Sequence, residues 1–359
     1  MATYANDLPK TFTAIQYKGS GSPRDIFTVN DKLPLPKVTG SKVLIKVHAA
    51  AINPVDWKLM LGGPVRWTMP SVVVPGLDIS GTIVALGPQV GKNASLTSSR
   101  GELHLGDEIL SFLSPLYTGA LQEYVVVDES LLVKKPKRWS FEQAAAWPLV
   151  AVTIWESLVV RGKIKKGDKV LVMGASGGTG TVAVQFAKAM GAYVVGVCST
   201  ANLQFVKDLG ADEVVDYKTT NVTTVYTNRD FDIILETVGD ESAAEIWAHN
   251  KTILKCSGNL VRIAADDRAM SSVPYLLMAG AHIVSKKVYS FLTFGPGYHL
   301  FTTMPDGDAL AKVIKVLDQD GHADPAIDSE FDFSLPSVLK AFDRSISHRA
   351  RGKIVIKLV

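Results

Sequence analysis

"KVLVMGASGGTGTVAVQFAKAMG", residues 169–191, decides how this chain is read. A short apolar run breaks at Gly174, and Gly177, Gly178 and Gly180 follow within the same seven positions. Apolar residues then recur at helical spacing up to Gly191, which reads as the helix's closing residue. Glycines directly after a strand let the backbone approach a pyrophosphate closely and aim the next helix's first N–H groups at it. Ser176 and Thr179 stand among them as further hydrogen-bonding groups. No Lys-Ser/Thr pair follows the glycines, so the stretch is not a P-loop. It reads as a strand, turn and helix that hold a dinucleotide.

The next strand bears on which dinucleotide. An Asp or Glu about 20 residues past the glycines would bind the adenosine ribose 2′-hydroxyl of NAD. Here "AYVVGVCST" ends in Ser199 and Thr200 with no carboxylate, and hydroxyls suit a 2′-phosphate. Tyr217 and Lys218, at the end of the following strand, reach the same place. NADPH is therefore expected over NADH.

Working outward, "KVLVMG", "AYVVGVCS", "DEVVDY", "FDIILETVG", "GNLVRIA" and "AHIVSKKVY" read as six strands separated by helices. One of those helices, "DESAAEIWAHNKTIL", is expected to be capped by Asp240 or Ser242. Such alternation predicts an α/β, doubly wound parallel sheet. Before residue 139 the text is different: Gly-punctuated strands such as "KVLIKVHAA" and "DISGTIVALG" suggest a mostly β unit. The tail ends in "GKIVIKLV", apolar enough to pair back with that first unit. At 359 residues two domains are expected, 1–139 with 304–359, and 140–303.

Composition narrows the partners. Hydrophobic residues at 47% and charged ones at 20% suit a soluble globular protein. A net charge of +3 is too small to argue for nucleic acid or a membrane surface. The longest apolar stretch, 144–160, contains Pro148 and Glu156 and falls short of the ~20 apolar residues of a membrane span. The two cysteines, Cys198 and Cys256, are expected as buried free thiols in a reducing compartment. No secretory signal is visible at the N-terminus, so the cytoplasm is the expected location.

"AAAINPVDWK", "VPGLDISGTIVALG", "GALQEYVVV", "AAAWPLVAVTIWESL", "GASGGTG", "LGADEVVDY" and the "RARGKIVIK" tail occur in an order that carries a resemblance. The chain resembles the zinc-free quinone oxidoreductase (zeta-crystallin-like) branch of the medium-chain dehydrogenase/reductase superfamily from about residue 12 to the end. The resemblance implies a GroES-like β-rich domain beside a Rossmann domain. It also implies a cleft for nicotinamide and substrate, and hydride transfer from NADPH to quinones or α,β-unsaturated carbonyls. Zinc relatives hold their metal where this chain reads "NPVDW" and "PGLDISG", and neither cysteine falls there, so no metal is expected.

In that frame Asn53 is placed to donate to an oxyanion, Asp56 to orient the nicotinamide side, and Thr153 to approach the nicotinamide. Gly258 is expected in a strand-end loop beside the cofactor, and Arg351 within reach of its phosphates. Trp57, Trp67, Tyr117 and Phe291 are the candidates for a flat, aromatic substrate pocket. The tyrosine that many relatives carry after the "NPxD" segment is missing here. The resemblance implies a homodimer through the sheet edge, with "AHIVSKKVY" as the edge strand; Lys286 and Lys287 there could equally block pairing, so dimer and monomer both stay open. Two other readings stay open: a non-enzymatic NADPH-binding sensor or scaffold, and an enoyl reductase for thioester-bound chains.

Overall fold

The computed structural model describes all residues except 1, 94–99, 115, 117, 264–271 and 320–322. Among them the strands run β1 (Thr3–Tyr4), β2 (Thr11–Lys18), β3 (Phe27–Pro34), β4 (Lys42–Ile52), β5 (Val72–Val73), β6 (Asp78–Leu86), β7 (Glu108–Phe112), β8 (Tyr124–Asp128) and β9 (Leu132–Lys134). They continue as β10 (Lys169–Met173), β11 (Tyr193–Cys198), β12 (Glu213–Asp216), β13 (Phe231–Glu236), β14 (Leu254–Arg262) and β15 (Gly297–Leu300). The last two are β16 (Ile327–Asp332) and β17 (Lys353–Lys357). The chain divides into a first unit of 1–149, 304–312 and 324–359, and a second of 150–303 and 313–323.

In the first unit, β4 is the axis. It pairs antiparallel with β6, β8 and β17, and β6 in turn pairs with β7. The C-terminal strand does return to this unit, with Ile354 beside Ile52. Val43, Leu44, Ile45 and Val47 are all fully buried, so β4 is more enclosed than its alternating lysines suggest. Residues 140–149 also pack with this unit. Ser80 Oγ donates to the Phe141 carbonyl and Asp78 Oδ1 accepts from the Leu149 N–H at 2.7 Å.

The second unit is a six-stranded, wholly parallel sheet in the order β12-β11-β10-β13-β14-β15. Its strands read as unbroken apolar runs because both faces are covered: Val170, Leu171 and Val172 in β10 and Ile233, Ile234 and Leu235 in β13 have no exposure. The chain leaves β10 toward β11 on one side and resumes at β13 on the other. That reversal opens a crevice at the carboxyl ends of β10 and β13, the place where such sheets take ligands.

Three expectations are corrected here. Residues 281–289 are not a strand; they lie within the helix Val273–Thr293, and the sixth strand is β15. Pro274 at the helix's first turn and a 21-residue stretch without an interior proline favour the helix over the local alternation. Lys286 is consequently buried over the rings of Trp247 and Tyr298 rather than guarding an edge. The helix at 240 begins after Gly239, so neither Asp240 nor Ser242 is its cap. Cys198 is buried, but Cys256 is exposed and its sulfur accepts from Arg229 Nη1 at 2.8 Å.

Candidate functional site

The glycine turn is built by close approach. Gly174 has φ +74°, and a side chain there would meet Thr237 Oγ1. A Cβ on Gly180 would run into the Gly174 carbonyl and the Ala175 backbone, so the helix Gly178–Ala189 packs on the turn only through glycine. Gly177 differs: a Cβ there would meet just the Gly174 carbonyl, at 3.4 Å. Gly177 is also the helix's N-cap and has no side chain to satisfy the first N–H groups. Gly178 and Thr179 form that first turn and are half-buried. Open space above Gly177 and uncapped donors beneath it fit a diphosphate.

The carboxyl edge beside the turn is lined with hydroxyls. Asn202 Nδ2 stands 3.1 Å from Ser176 Oγ and 3.3 Å from Ser199 Oγ. Tyr217 is exposed just past β12, its N–H bonded to the Cys198 carbonyl. Thr200 behaves otherwise than expected. Its hydroxyl donates to Asp216 Oδ2 at 2.5 Å, so its proton points at a carboxylate, not outward. Asp216 Oδ1 accepts from the Lys218 N–H at 2.9 Å. Those contacts hold the Asp216 carboxyl below the usual range.

Asp216 does not stand at the end of β11, where the dinucleotide fingerprint places its carboxylate. The carboxylate arrives from the neighbouring strand, where parallel register sets Asp216 beside Cys198. Glu236, registered beside Met173 on the other flank of the glycine turn, is a second. It is fully buried, which pushes its pKa up, and it accepts from the Val238 and Gly239 N–H groups.

Gly258 is corrected. It lies inside β14 beside Phe231 and Asp232, at the amino end of the sheet, where the register shifts and the carbonyls leave no room for a side chain. Thr153 is buried in the second unit, its Oγ1 2.9 Å from Thr303 Oγ1. Arg351 is exposed in the first unit, its N–H bonded to Asp328.

Asn53 and Asp56 belong to a buried ionic cluster in the first unit. Asn53 follows β4 and caps the helix Pro54–Lys58, and its N–H donates to Asp56 Oδ2 at 2.7 Å. Asn53 Nδ2 donates to Asp78 Oδ2 at 2.8 Å, and Lys353 Nζ donates both to Asn53 Oδ1 and to Asp78 Oδ2. Asp78 has no exposure and Lys353 only 5%. One ammonium thus ties the end of β4, the start of β6 and the start of β17. Asp56 Oδ1 is buried with no hydrogen-bond partner. Burial first, and then nearby Asp78, raise its pKa to about 7 against the bond from Asn53 and the charge of Lys353. A lone lysine opening the apolar "KIVIK" and an aspartate inside "PGLDISG" were the signals that could have found this cluster.

The described aromatic candidates are divided between the two units. Trp57 is buried, its Nε1 donating to Ser345 Oγ at 3.2 Å and its ring edge-on to His348. Trp67, 75% exposed, belongs to the first unit, and Phe291, 79% exposed, to the second. Tyr117 lies outside the described residues. Among the described residues no three metal-capable side chains cluster, and no helix is long and apolar enough to cross a membrane.

Comparison with known proteins agrees with this architecture. Residues 39–137 match the alcohol dehydrogenase GroES-like domain family and 178–322 the zinc-binding dehydrogenase family. The chain is 31% identical to 2-methylene-furan-3-one reductase of Solanum lycopersicum, over 97% of its own length and 80% of that protein's. It is 32% identical to the mitochondrial NAD(P)H oxidoreductase RTN4IP1 of Danio rerio, covering 93% of this chain and 87% of the relative. The solved quinone oxidoreductase of Coxiella burnetii superposes with a TM-score of 0.79 at 26% identity, over 98% of this chain and 100% of the other. The chain is therefore an oxidoreductase of the medium-chain dehydrogenase/reductase superfamily, belonging to its quinone and enone reductase branch.

Proposed function

We propose that this protein is a zinc-independent reductase that uses NADPH to reduce quinones or α,β-unsaturated carbonyl compounds. The observation that carries it is the glycine turn 174–180: uncapped helix donors with open space over Gly177, flanked by the hydroxyls of Ser176 and Ser199. The names of the relatives, an enone reductase, an NAD(P)H oxidoreductase and a quinone oxidoreductase, support the same chemistry.

When bound, the dinucleotide supplies the hydride. The chain's part is to bind and orient. Gly174, Ser176, Gly177, Gly178, Thr179 and Gly180 hold the pyrophosphate. Ser199 and Tyr217 meet the 2′-phosphate, with Thr200 shaping the turn through Asp216. Thr153, fixed by Thr303, faces the nicotinamide, and Arg351 is a proposed phosphate ligand. Asn53 and Asp56 act by fixing the loop after β4, since the Asn53 side chain already holds Lys353 and Asp78. A homodimer and cytoplasmic residence complete the proposal.

The test is loss of NADPH absorbance with a flat ortho-quinone and a simple enone, in metal-free buffer, with NADH in parallel. Rapid, NADPH-selective oxidation that survives chelators is expected. Binding of NADPH without turnover of any quinone or enone would overturn the substrate class. Activity lost with chelator and restored by zinc would overturn zinc independence.

A further inference from the structure

Asn202 sits in the turn after β11, half-buried, and touches both halves of the proposed dinucleotide site. Its Nδ2 reaches Ser176 Oγ in the glycine turn and Ser199 Oγ at the strand end, 3.1 and 3.3 Å away. An amide NH₂ carries two hydrogens and accepts nothing, so both contacts run from Asn202 to the serines. A serine whose oxygen accepts keeps its single proton for donation elsewhere. One amide therefore leaves two hydroxyls with a proton to donate, one in the glycine turn and one at the end of β11. Thr200 next door shows the opposite arrangement, its proton committed to Asp216.

We propose that Asn202 is the positioning residue for the phosphates of the adenosine half. It acts through Ser176 and Ser199 and tilts the site toward the 2′-phosphate. The inference rests on the nicotinamide reading above.

Calorimetric titration of the full chain with NADPH and with NADH tests it, using wild type, N202D, N202A, S199A and N202A/S199A. In N202D a carboxylate can only accept, so it turns the serine protons inward and adds negative charge beside the 2′-phosphate. NADPH affinity should fall by about tenfold or more, and NADH affinity by less. N202A should lose a few-fold. Combined with S199A its loss should be less than additive, because part of it already runs through Ser199. Melting of each apo-protein is measured alongside, and if N202D does not fold, the N202A and S199A cycle decides. An unchanged ratio of NADPH to NADH affinity in N202D, or strict additivity in the cycle, would overturn the role of Asn202. Wild type that binds neither dinucleotide would instead overturn the nicotinamide reading.

Discussion

At the carboxyl edge of the parallel sheet, Ser176, Ser199 and Tyr217 are partly open to solvent and keep hydrogen-bonding capacity in reserve. Around Lys353, in the other unit, the side chains are almost wholly enclosed, and the Lys353, Asn53 and Asp78 groups bond to one another. The two clusters contain similar chemistry and differ in what is left unspent. A site that meets a ligand must hold donors back, whereas a cluster that holds strands together is stable only when its charges are matched. The cluster around Lys353 is therefore expected to govern folding, and the hydroxyl edge to govern binding.

The largest effect should come from removing the ammonium. In K353M the Asp78 carboxylate stays buried without its cation, a loss of about 3–5 kcal/mol by precedent for broken buried pairs. Urea unfolding at neutral pH should show it as a lower midpoint, while N202A unfolds close to wild type. Equal midpoints for K353M and wild type would erase the contrast between the two regions.

The exception inside the buried cluster gives the next effect. Asp56 has an ordinary carboxylate pKa near 3.8, raised in the fold to about 7, chiefly by burial. The native state thus keeps a proton that the unfolded chain releases near pH 4. Between those values the native state binds more protons, so this group's contribution to stability falls as pH rises and levels off above about 7. D56N retains an acceptor for the Asn53 N–H but cannot ionise. Its stability should fall less than that of wild type between pH 4 and pH 7, by about 3–4 kcal/mol. Parallel stability profiles across that window would show that Asp56 is not the titrating group.

How much of this could be read from the sequence depends on the distance between partners. The turn at 174–180 is local, so its glycines, the strand before it and the helix after it were legible, and the apolar runs gave five of the six parallel strands. The sixth was hidden because "AHIVSKKVY" alternates over nine residues inside a helix of 21. The ionic cluster was hidden for another reason: Lys353 meets Asn53 across 300 positions and Asp78 across 275, and only strand register brings them together. Asp216 reaches Thr200 the same way, through the register of β11 and β12. Asn53 and Asp56 stand out locally as an Asn-Pro turn with an aspartate three residues on, whereas Lys353 becomes a neighbour of Asn53 only through strand register.

Within the glycine turn itself the same division can be made one residue at a time. Gly180 is confined by the Gly174 carbonyl and the Ala175 backbone, which cannot yield without moving the helix. Gly177 has a conformation open to any residue and ordinary contact distance around a built Cβ. G180A should therefore lose about 1–3 kcal/mol of stability through overpacking, whatever happens to binding. G177A should fold as well as wild type, yet its added methyl would stand where the pyrophosphate approaches, so NADPH affinity should fall by about tenfold. Melting and calorimetry on the same two variants separate the cases. If G177A bound NADPH as tightly as wild type, the space above Gly177 would not be where the diphosphate lies, and the turn would join the Lys353 cluster as architecture.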